Sequence, residues 1–146
     1  MFFKAIPEAV VSILKEIHLY GLPSDTYLAG GTAVAFYLNH RISVDIDLFT
    51  ETEFYSEPII SAIKTRRKVE IISLTEKDTF IGNVEGVRLS LFRYPYPLLE
   101  RPFLIEGLNI YIASPLDIAA MKTVAIVQRG TAKDFIDLKA LLLAYN

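Results

Sequence analysis

Two aspartates, Asp45 and Asp47, stand two positions apart in the segment Ser43-Val-Asp-Ile-Asp-Leu-Phe49. The alternation of polar and apolar residues predicts a β-strand, on which Asp45, Asp47 and Phe49 share one face. Aspartate is disfavoured in strands, and two carboxylates about 6–7 Å apart on one face repel each other. A divalent cation bound by both carboxylates would remove that repulsion. An edge strand with two solvated carboxylates accounts for the Asp-x-Asp pattern equally well when the pattern is taken alone.

A glycine turn precedes the two aspartates, in Leu28-Ala-Gly-Gly-Thr32. Paired glycines let the backbone come close to a ligand. The first turn of the helix that follows offers free N–H groups and partial positive charge, which suit phosphate. A Gly-Gly pair by itself is more often a plain tight turn. Combined with the nearby carboxylates, however, the turn predicts a triphosphate site at Gly30, Gly31 and Thr32 beside a metal site.

Lys122 lies in the middle of an almost wholly apolar segment, residues 116–127, which predicts a buried helix. A lysine in such a place must reach solvent, pair with a carboxylate or meet a ligand anion. Arg129 follows two helical turns later on nearly the same face, so the two side chains could hold phosphates together. A snorkelling lysine and an ordinary arginine at the end of a helix are the alternative of equal weight.

The elements that must position these residues can be predicted from periodicity and from start and stop signals. The segment Tyr94-Pro-Tyr-Pro97 must leave regular structure because proline cannot donate a ladder hydrogen bond. The order of elements predicts an α+β fold with a mixed sheet, flanked by helices and closed by two C-terminal helices. The predicted helices cover residues 7–20, 32–39, 57–67, 115–129 and 131–144, and the predicted strands cover residues 27–29, 43–49, 69–74, 79–84, 87–92 and 109–112.

Bulk composition favours one domain, covering residues 1–146, in a cytoplasmic protein. The chain is 52% hydrophobic, with a mean hydropathy of +0.36, yet no apolar run approaches the ~18 residues of a membrane span. The excess apolar surface is expected in the core or at a homo-oligomer interface. The N-terminus lacks the features of a signal peptide, and the absence of cysteine fits a reducing compartment. A net charge of −2 leaves Lys64-Thr-Arg-Arg-Lys68 as the only strong candidate for contact with nucleic acid.

Two motifs together, Gly30-Gly-Thr-Ala-Val and His40-Arg-Ile-Ser-Val-Asp-Ile-Asp-Leu-Phe49, closely resemble the first motif of the AbiEii/AbiGii-type nucleotidyltransferases. These proteins belong to the DNA polymerase β-like superfamily and include toxins of toxin–antitoxin and phage-defence systems. The resemblance is dense over residues 28–49 and weaker over 87–97 and 115–138. It implies a minimal nucleotidyltransferase fold that transfers a nucleoside monophosphate from a nucleoside triphosphate to an acceptor hydroxyl.

The resemblance also implies roles for particular residues. Asp45 and Asp47 would be catalytic and bind Mg²⁺, while Gly30, Gly31 and Thr32 would contact the triphosphate. A family lysine on the penultimate helix points to Lys122, with Arg129 beside it. RNA, tRNA or a protein side chain would be the acceptor, and a cognate antitoxin would be the partner of a toxin.

Three further candidates complete the predicted site. Arg41 and Ser43, between the second helix and the strand, could add phosphate contacts, although Arg41 fits a surface position equally well. In the last family motif an aspartate is functional, and we favour Asp134 over Asp137 for it. Both also suit the start of a helix, where Thr131 and Asp134 form a pair like a capping box.

One position departs from the family pattern. Polymerase β-like enzymes usually carry a third carboxylate on a neighbouring strand, and Ser90 stands there in this chain. Serine is uncharged and a poor base at neutral pH. Asp134 or Glu70 would have to replace the missing acid, or the protein is a catalytically impaired relative that binds nucleotide or protein.

Overall fold

The computed structural model describes residues 4–145, in which seven strands form one mixed sheet flanked by five α-helices. This arrangement confirms the predicted α+β fold with two C-terminal helices. In chain order the elements are α1 (Glu8–Leu14), β1 (Tyr27–Ala29), α2 (Gly30–Leu38), β2 (Ile46–Thr50), α3 (Ser56–Lys64), β3 (Val69–Leu74), β4 (Thr79–Val84), β5 (Val87–Arg93), β6 (Phe103–Ile105), β7 (Ile110–Ile112), α4 (Pro115–Gln128) and α5 (Ala132–Tyr145).

Most predicted elements are confirmed, with differences at their ends. The first predicted helix is divided into α1 and a 3-10 turn over Ile17–Leu19, and Ile17 remains buried because both pieces present the same apolar side to the core. Strand β6 was not predicted. Its three residues are too few to show a period, and the strand exists through its antiparallel pairing with β7.

Strand β2 lies in the middle of the sheet, whose order is β3-β4-β5-β2-β1-β7-β6. It pairs with β1 in the antiparallel sense and with β5 in the parallel sense. The register places Asp47 opposite Ala29 on one side and opposite Ser90 on the other. Asp47 is therefore held between the glycine turn that follows β1 and the strand that carries Ser90.

Helix α2 is held firmly against the sheet. Its residues from Gly31 to Phe36 are all buried, and Phe36, Leu28 and Ile46 are fully enclosed. Each large apolar side chain enclosed in this way contributes about 1.5–3 kcal/mol to the free energy of unfolding. The core thus fixes the N-terminus of α2 relative to β2, which is where the two predicted ligand-binding motifs meet.

Helix α4 is less buried than its apolar sequence predicts. Asp117, Ile118 and Lys122 are buried, whereas the side chains of Val124 and Val127 are 46% and 82% exposed. The prediction of a buried helix is therefore wrong, because one face of α4, which includes Val124, borders a cavity, and Val127 is exposed outside that cavity. Among residues 4–145, no helix is both long and apolar enough to cross a membrane.

Candidate active site

Asp47 lies at the centre of the candidate site. The Ser90 hydroxyl donates a hydrogen bond to Oδ1 of Asp47 at 2.9 Å. The other carboxylate oxygen, Oδ2, lies against Gly30, because a Cβ built on Gly30 would come within 2.4 Å of it. The glycine turn thus makes room for the protein's own carboxylate.

Asp45 lies beside Asp47 but not on the strand. Strand β2 begins at Ile46, so Asp45 is the residue immediately before it, which corrects the prediction that one strand carries both. Both carboxylates nevertheless border the same cavity. Burial raises the pKa of Asp47, against the hydrogen bond from Ser90, and the nearby charge of Asp45 raises it further. Two hard oxygen donors fit a divalent cation, which would also offset the cost of the charge on Asp47.

Replacing Gly30 by alanine tests this packing. Gly30 has φ +68°, so Gly30→Ala combines backbone strain with overlap on Asp47. Gly21→Ala is the matched control, because Gly21 has φ +72° and no atom of the described residues lies within 4 Å of an added Cβ. We expect the control to lose about 1–2 kcal/mol from the strain alone. Gly30→Ala should lose clearly more in urea unfolding, and equal losses would contradict the close approach.

Gly31 makes room for a second side chain, that of Arg41. A Cβ on Gly31 would lie 2.2 Å from Nη2 of Arg41. Arg41 is not a plain surface residue, because it donates two hydrogen bonds to Asp137, from Nε at 2.8 Å and from Nη2 at 2.9 Å. A guanidinium thereby rests on the first turn of α2, where it adds positive charge to the partial charge of the helix end.

Asp137 and Asp134 are both buried acceptors of several cations. Lys122 lies between them, with Nζ 2.8 Å from Asp137 and 3.2 Å from Asp134. Arg129 donates two hydrogen bonds to Asp134, at 2.9 and 3.0 Å, and Thr131 donates a third at 2.8 Å. His40 lies 2.7 Å from Asp137. Lys122 thus pairs with carboxylates, which is one of the three arrangements predicted for a lysine in this helix.

These contacts keep both aspartates, Asp134 and Asp137, in the ionised form. Hydrogen bonds from Arg129, opposed by burial, hold the pKa of Asp134 far below its ordinary value. Burial raises the pKa of Asp137, but the hydrogen bonds from Arg41 and Lys122 outweigh it and lower the pKa. Both carboxylates therefore stay ionised and are poor bases.

The two substitutes considered for the missing third carboxylate fit poorly. Asp134 is engaged with Lys122 and Arg129, and its geometry favours a residue that positions these cations. Glu70 lies on β3, three strands from β2, or about 14 Å at the usual strand spacing. Glu70 is therefore too far from Asp47 to replace the acid, which corrects that alternative.

The hydroxyl of Thr32 does not face the site, so the triphosphate contact predicted for Thr32 cannot come from its side chain. Thr32 is fully buried, and its Oγ1 bonds to the Ser43 hydroxyl at 2.8 Å and to the carbonyl oxygen of Asp45. Ser43 is also buried but borders the cavity that contains Asp45. These contacts tie α2 to the start of β2, so the Thr32 side chain positions Asp45, and a ligand would meet only its backbone N–H.

Two cavities meet at Asp47, Lys122 and Arg129. The first, here called the polar cavity, has a volume of about 420 Å³ and is bordered by five cationic side chains and three carboxylates. The second, here called the aromatic cavity, has a volume of about 610 Å³ and includes Phe49, Phe92, Tyr94 and Tyr96. The charged residues of the polar cavity are Arg41, Arg88, Lys122, Arg129 and Lys133 together with Asp45, Asp47 and Asp134.

Sequence reasoning missed two cations of the polar cavity, Arg88 and Lys133. The alternation of β5 could have indicated Arg88, since it places Arg88 and Ser90 on one face. No local signal pointed to Lys133. The excess of positive charge in a concave site beside two carboxylates suits a polyphosphate accompanied by a metal ion.

Comparison with known proteins agrees with this geometry. Residues 12–145 match the model of the family described as "Nucleotidyl transferase AbiEii toxin, Type IV TA system". The chain belongs to the AbiEii nucleotidyltransferase family. An uncharacterized protein of Aquifex aeolicus (strain VF5) is 41% identical to this AbiEii member over 134 residues, which is 88% of this chain and 63% of that protein. The chain thus spans less than two thirds of that relative.

Solved structures show the same fold as this AbiEii chain. JHP933 from Helicobacter pylori has a TM-score of 0.60 and 21% identity, over 96% of this chain and 68% of that one. The Megavirus polyadenylate synthase has a TM-score of 0.62 and 14% identity, over 95% of this chain and 33% of that one. ANT(2")-Ia, solved with adenylyl-2"-tobramycin, has a TM-score of 0.57 and 13% identity, over 92% of this chain and 90% of that one. At these identities the likeness shows the nucleotidyltransferase fold.

Proposed function

We propose that this protein transfers a nucleoside monophosphate from a nucleoside triphosphate to an acceptor hydroxyl, with Mg²⁺ bound by Asp45 and Asp47. The observation that carries the proposal is the half-buried carboxylate of Asp47, which borders the polar cavity and whose pKa is raised by desolvation. A partly desolvated anion beside a concentration of cations is suited to a ligand that brings both a metal ion and several negative charges. Metal-bound triphosphate is such a ligand.

The metal ion would supply charge neutralisation and alignment of the attacking and leaving oxygens. Asp45 and Asp47 are the residues that would hold it, and Ser90 fixes one oxygen of Asp47 by its hydrogen bond. Mg²⁺ prefers carboxylate oxygens and keeps several waters, so two carboxylates from the protein suffice.

The triphosphate would contact the first turn of α2 together with Lys122 and Arg129. Within residues 4–145, no side-chain hydrogen bond caps the N-terminus of α2, so its first N–H groups stay available to an anion. Lys122 and Arg129 border both cavities and are held in place by Asp134. Phosphoryl transfer depends mainly on positioning and electrostatic stabilisation, so the absence of a third carboxylate at Ser90 is compatible with activity.

A transfer assay tests the proposal directly. The protein is incubated with labelled nucleoside triphosphates and Mg²⁺, with bulk tRNA or the protein itself as acceptor. Label is expected in one acceptor with the wild type and in neither with the Asp45→Ala/Asp47→Ala variant. Calorimetry should show that this double variant has lost Mg²⁺-dependent triphosphate binding while its fold survives. Equal binding by the two proteins would refute the metal assignment.

The same assay separates the enzyme from a catalytically impaired relative, which Ser90 in the place of an acid favours. If triphosphate binds measurably but no acceptor ever becomes labelled, the protein is a catalytically impaired relative. The family description also makes a cognate antitoxin a proposed partner. Growth arrest on expression, relieved by a small protein encoded next to this one, is the result expected for a toxin.

Replacing Arg129 by glutamine tests its contact with the triphosphate. The Arg129 side chain is 63% exposed, but its hydrogen bonds are accepted by the buried Asp134, so their loss should lower the free energy of unfolding by about 1–3 kcal/mol. A charge-assisted hydrogen bond to phosphate is worth about 1.5–3 kcal/mol, so the Kd for triphosphate should rise roughly 10- to 100-fold. Arg101→Gln is the control, because Arg101 is exposed and borders neither cavity. Equal Kd values for both variants would remove Arg129 from the triphosphate site.

A further inference from the structure

One face of the sheet changes character along the strands, from charged to aromatic. Asp47 and Phe49 share a face of β2, and their partners on β5 are Ser90 and Phe92. The two phenylalanines therefore lie one pleat, or about 7 Å, beyond the carboxylate. Tyr94 and Tyr96 continue this aromatic surface where the chain leaves β5.

The rings are held together and in place. Phe49 lies 5.9 Å from Phe92 and 6.1 Å from Tyr94, and Tyr94 lies 5.1 Å from Tyr96, measured between ring centroids. The backbone N–H of Tyr94 donates to the carbonyl of Thr50 at 2.7 Å, which anchors the segment to the end of β2. Pro95 and Pro97 restrict the backbone on either side of Tyr96. Rings held in this way lose little conformational freedom when a ligand binds.

One face of α4 also borders the aromatic cavity. Met121, Val124, Ala125 and Gln128 border it and follow helical spacing. This face accounts for part of the apolar sequence of α4 that the core does not bury. Gln128 adds an amide, which can both donate and accept hydrogen bonds. The cavity is therefore a slot with aromatic and aliphatic sides and a polar group at its border.

We infer that the aromatic cavity binds a nucleobase by stacking, with Tyr94 as a stacking residue. The inference rests on the proposed function, since Asp47, Lys122 and Arg129 join this cavity to the polar one. Aromatic side chains stack on the faces of bases with little dependence on sequence, while an amide can select among base edges. A cavity of about 610 Å³ is within the range of sites for small molecules. The base belongs either to the triphosphate or to a single-stranded RNA acceptor.

Binding measurements on two variants of Tyr94 test the inference. Tyr94→Leu removes the aromatic face but keeps an apolar side chain, and Tyr94→Phe is the control that keeps the face. The probes, each with Mg²⁺, are ribonucleoside triphosphates, inorganic tripolyphosphate and a single-stranded RNA of roughly ten nucleotides. Tyr96→Ala, at a residue that is 63% exposed, gives a second readout that makes little demand on folding.

The outcomes distinguish the source of the base. If the base is that of the triphosphate, Tyr94→Leu weakens triphosphate binding roughly 5- to 100-fold and leaves tripolyphosphate binding unchanged. If the base is that of the acceptor, only RNA binding weakens, by a similar factor. Unchanged binding of all three probes by Tyr94→Leu and Tyr96→Ala overturns the inference, as does an equal loss in Tyr94→Phe.

Failure of the proposed function would give a different result. In that case the wild type itself binds neither triphosphate nor tripolyphosphate with Mg²⁺, and the inference falls with it. If the wild type binds tripolyphosphate as tightly as every nucleoside triphosphate and binds no RNA, the stacking is overturned and the metal-bound phosphate site stands.

Discussion

Replacement of Asp47 by asparagine is expected to abolish Mg²⁺-dependent transfer while making the metal-free protein more stable. A bound metal ion contributes several kcal/mol to lowering a phosphoryl-transfer barrier, at about tenfold in rate per 1.4 kcal/mol, so the loss should reach at least about a thousandfold. The stability gain has a separate cause. Burial raises the pKa of Asp47, with the charge of Asp45 adding to the effect, so its ionised form costs stability in the folded state.

The pH dependence of this gain follows from linkage. A carboxyl whose pKa is higher in the folded than in the unfolded protein stabilises the fold below the unfolded pKa of about 3.9, and that stability is lost as pH rises through the folded pKa. The difference in melting temperature between Asp47→Asn and the wild type should therefore be small near pH 4 and grow toward neutral pH. Mg²⁺ should raise the melting temperature of the wild type but not of the variant.

Asp25→Asn provides the control for the first prediction. Asp25 accepts hydrogen bonds from Thr50, Glu51 and Thr52, away from both cavities. This variant should lose stability at neutral pH and keep its response to Mg²⁺. The role of Asp47 would be refuted if Asp47→Asn melted at a lower temperature than the wild type at neutral pH, or if Mg²⁺ still stabilised it.

The largest loss of stability is expected for Asp137→Ala. Asp137 is fully buried and pairs with His40, Arg41 and Lys122, which join the end of α2 to α4 and α5. Removing it leaves these groups without their common acceptor, and breaking a buried pair by removal of one partner costs about 3–5 kcal/mol. Urea unfolding should give this difference. Asp137→Asn, which keeps the volume of the side chain, should lose less.

An exposed ion pair, that of Arg67 and Glu85, is the comparison for the buried contacts of Asp137. Glu85 accepts a hydrogen bond from Arg67, and its side chain is 44% exposed, so Glu85→Ala should cost less than about 1 kcal/mol. Because the pKa of Asp137 is lowered in the folded protein, its stabilisation is present above the unfolded pKa of about 3.9 and is lost as pH falls through the folded pKa. Lowering the pH should therefore reduce the difference in the free energy of unfolding between the wild type and Asp137→Ala. If Asp137→Ala loses no more stability than Glu85→Ala, Asp137 does not hold His40, Arg41 and Lys122 together as described.

Local sequence patterns determined the main elements and the two motifs at the centre of the site. The strand-like stretches at 69–74 and 79–84 predicted β3 and β4 over the residues they occupy, because β-branched and aromatic residues fit a pleated surface. The glycine turn and the Asp-x-Asp pattern also predicted, from local sequence alone, a phosphate site beside a metal site. The motifs lie within about twenty residues of each other, so their proximity follows from one intervening helix.

The tertiary structure alone decided which charged groups meet. Arg41 and Asp137 are 96 positions apart, and no period or spacing links them. Their contact depends on α5 packing against α2, and the same packing places Lys122 between Asp134 and Asp137. The pairing of β2 with β5 likewise joins Asp47 to Ser90 and Phe49 to Phe92. Sequence periodicity records which face a side chain occupies, whereas the neighbours on that face are set by contacts between elements that are distant along the chain.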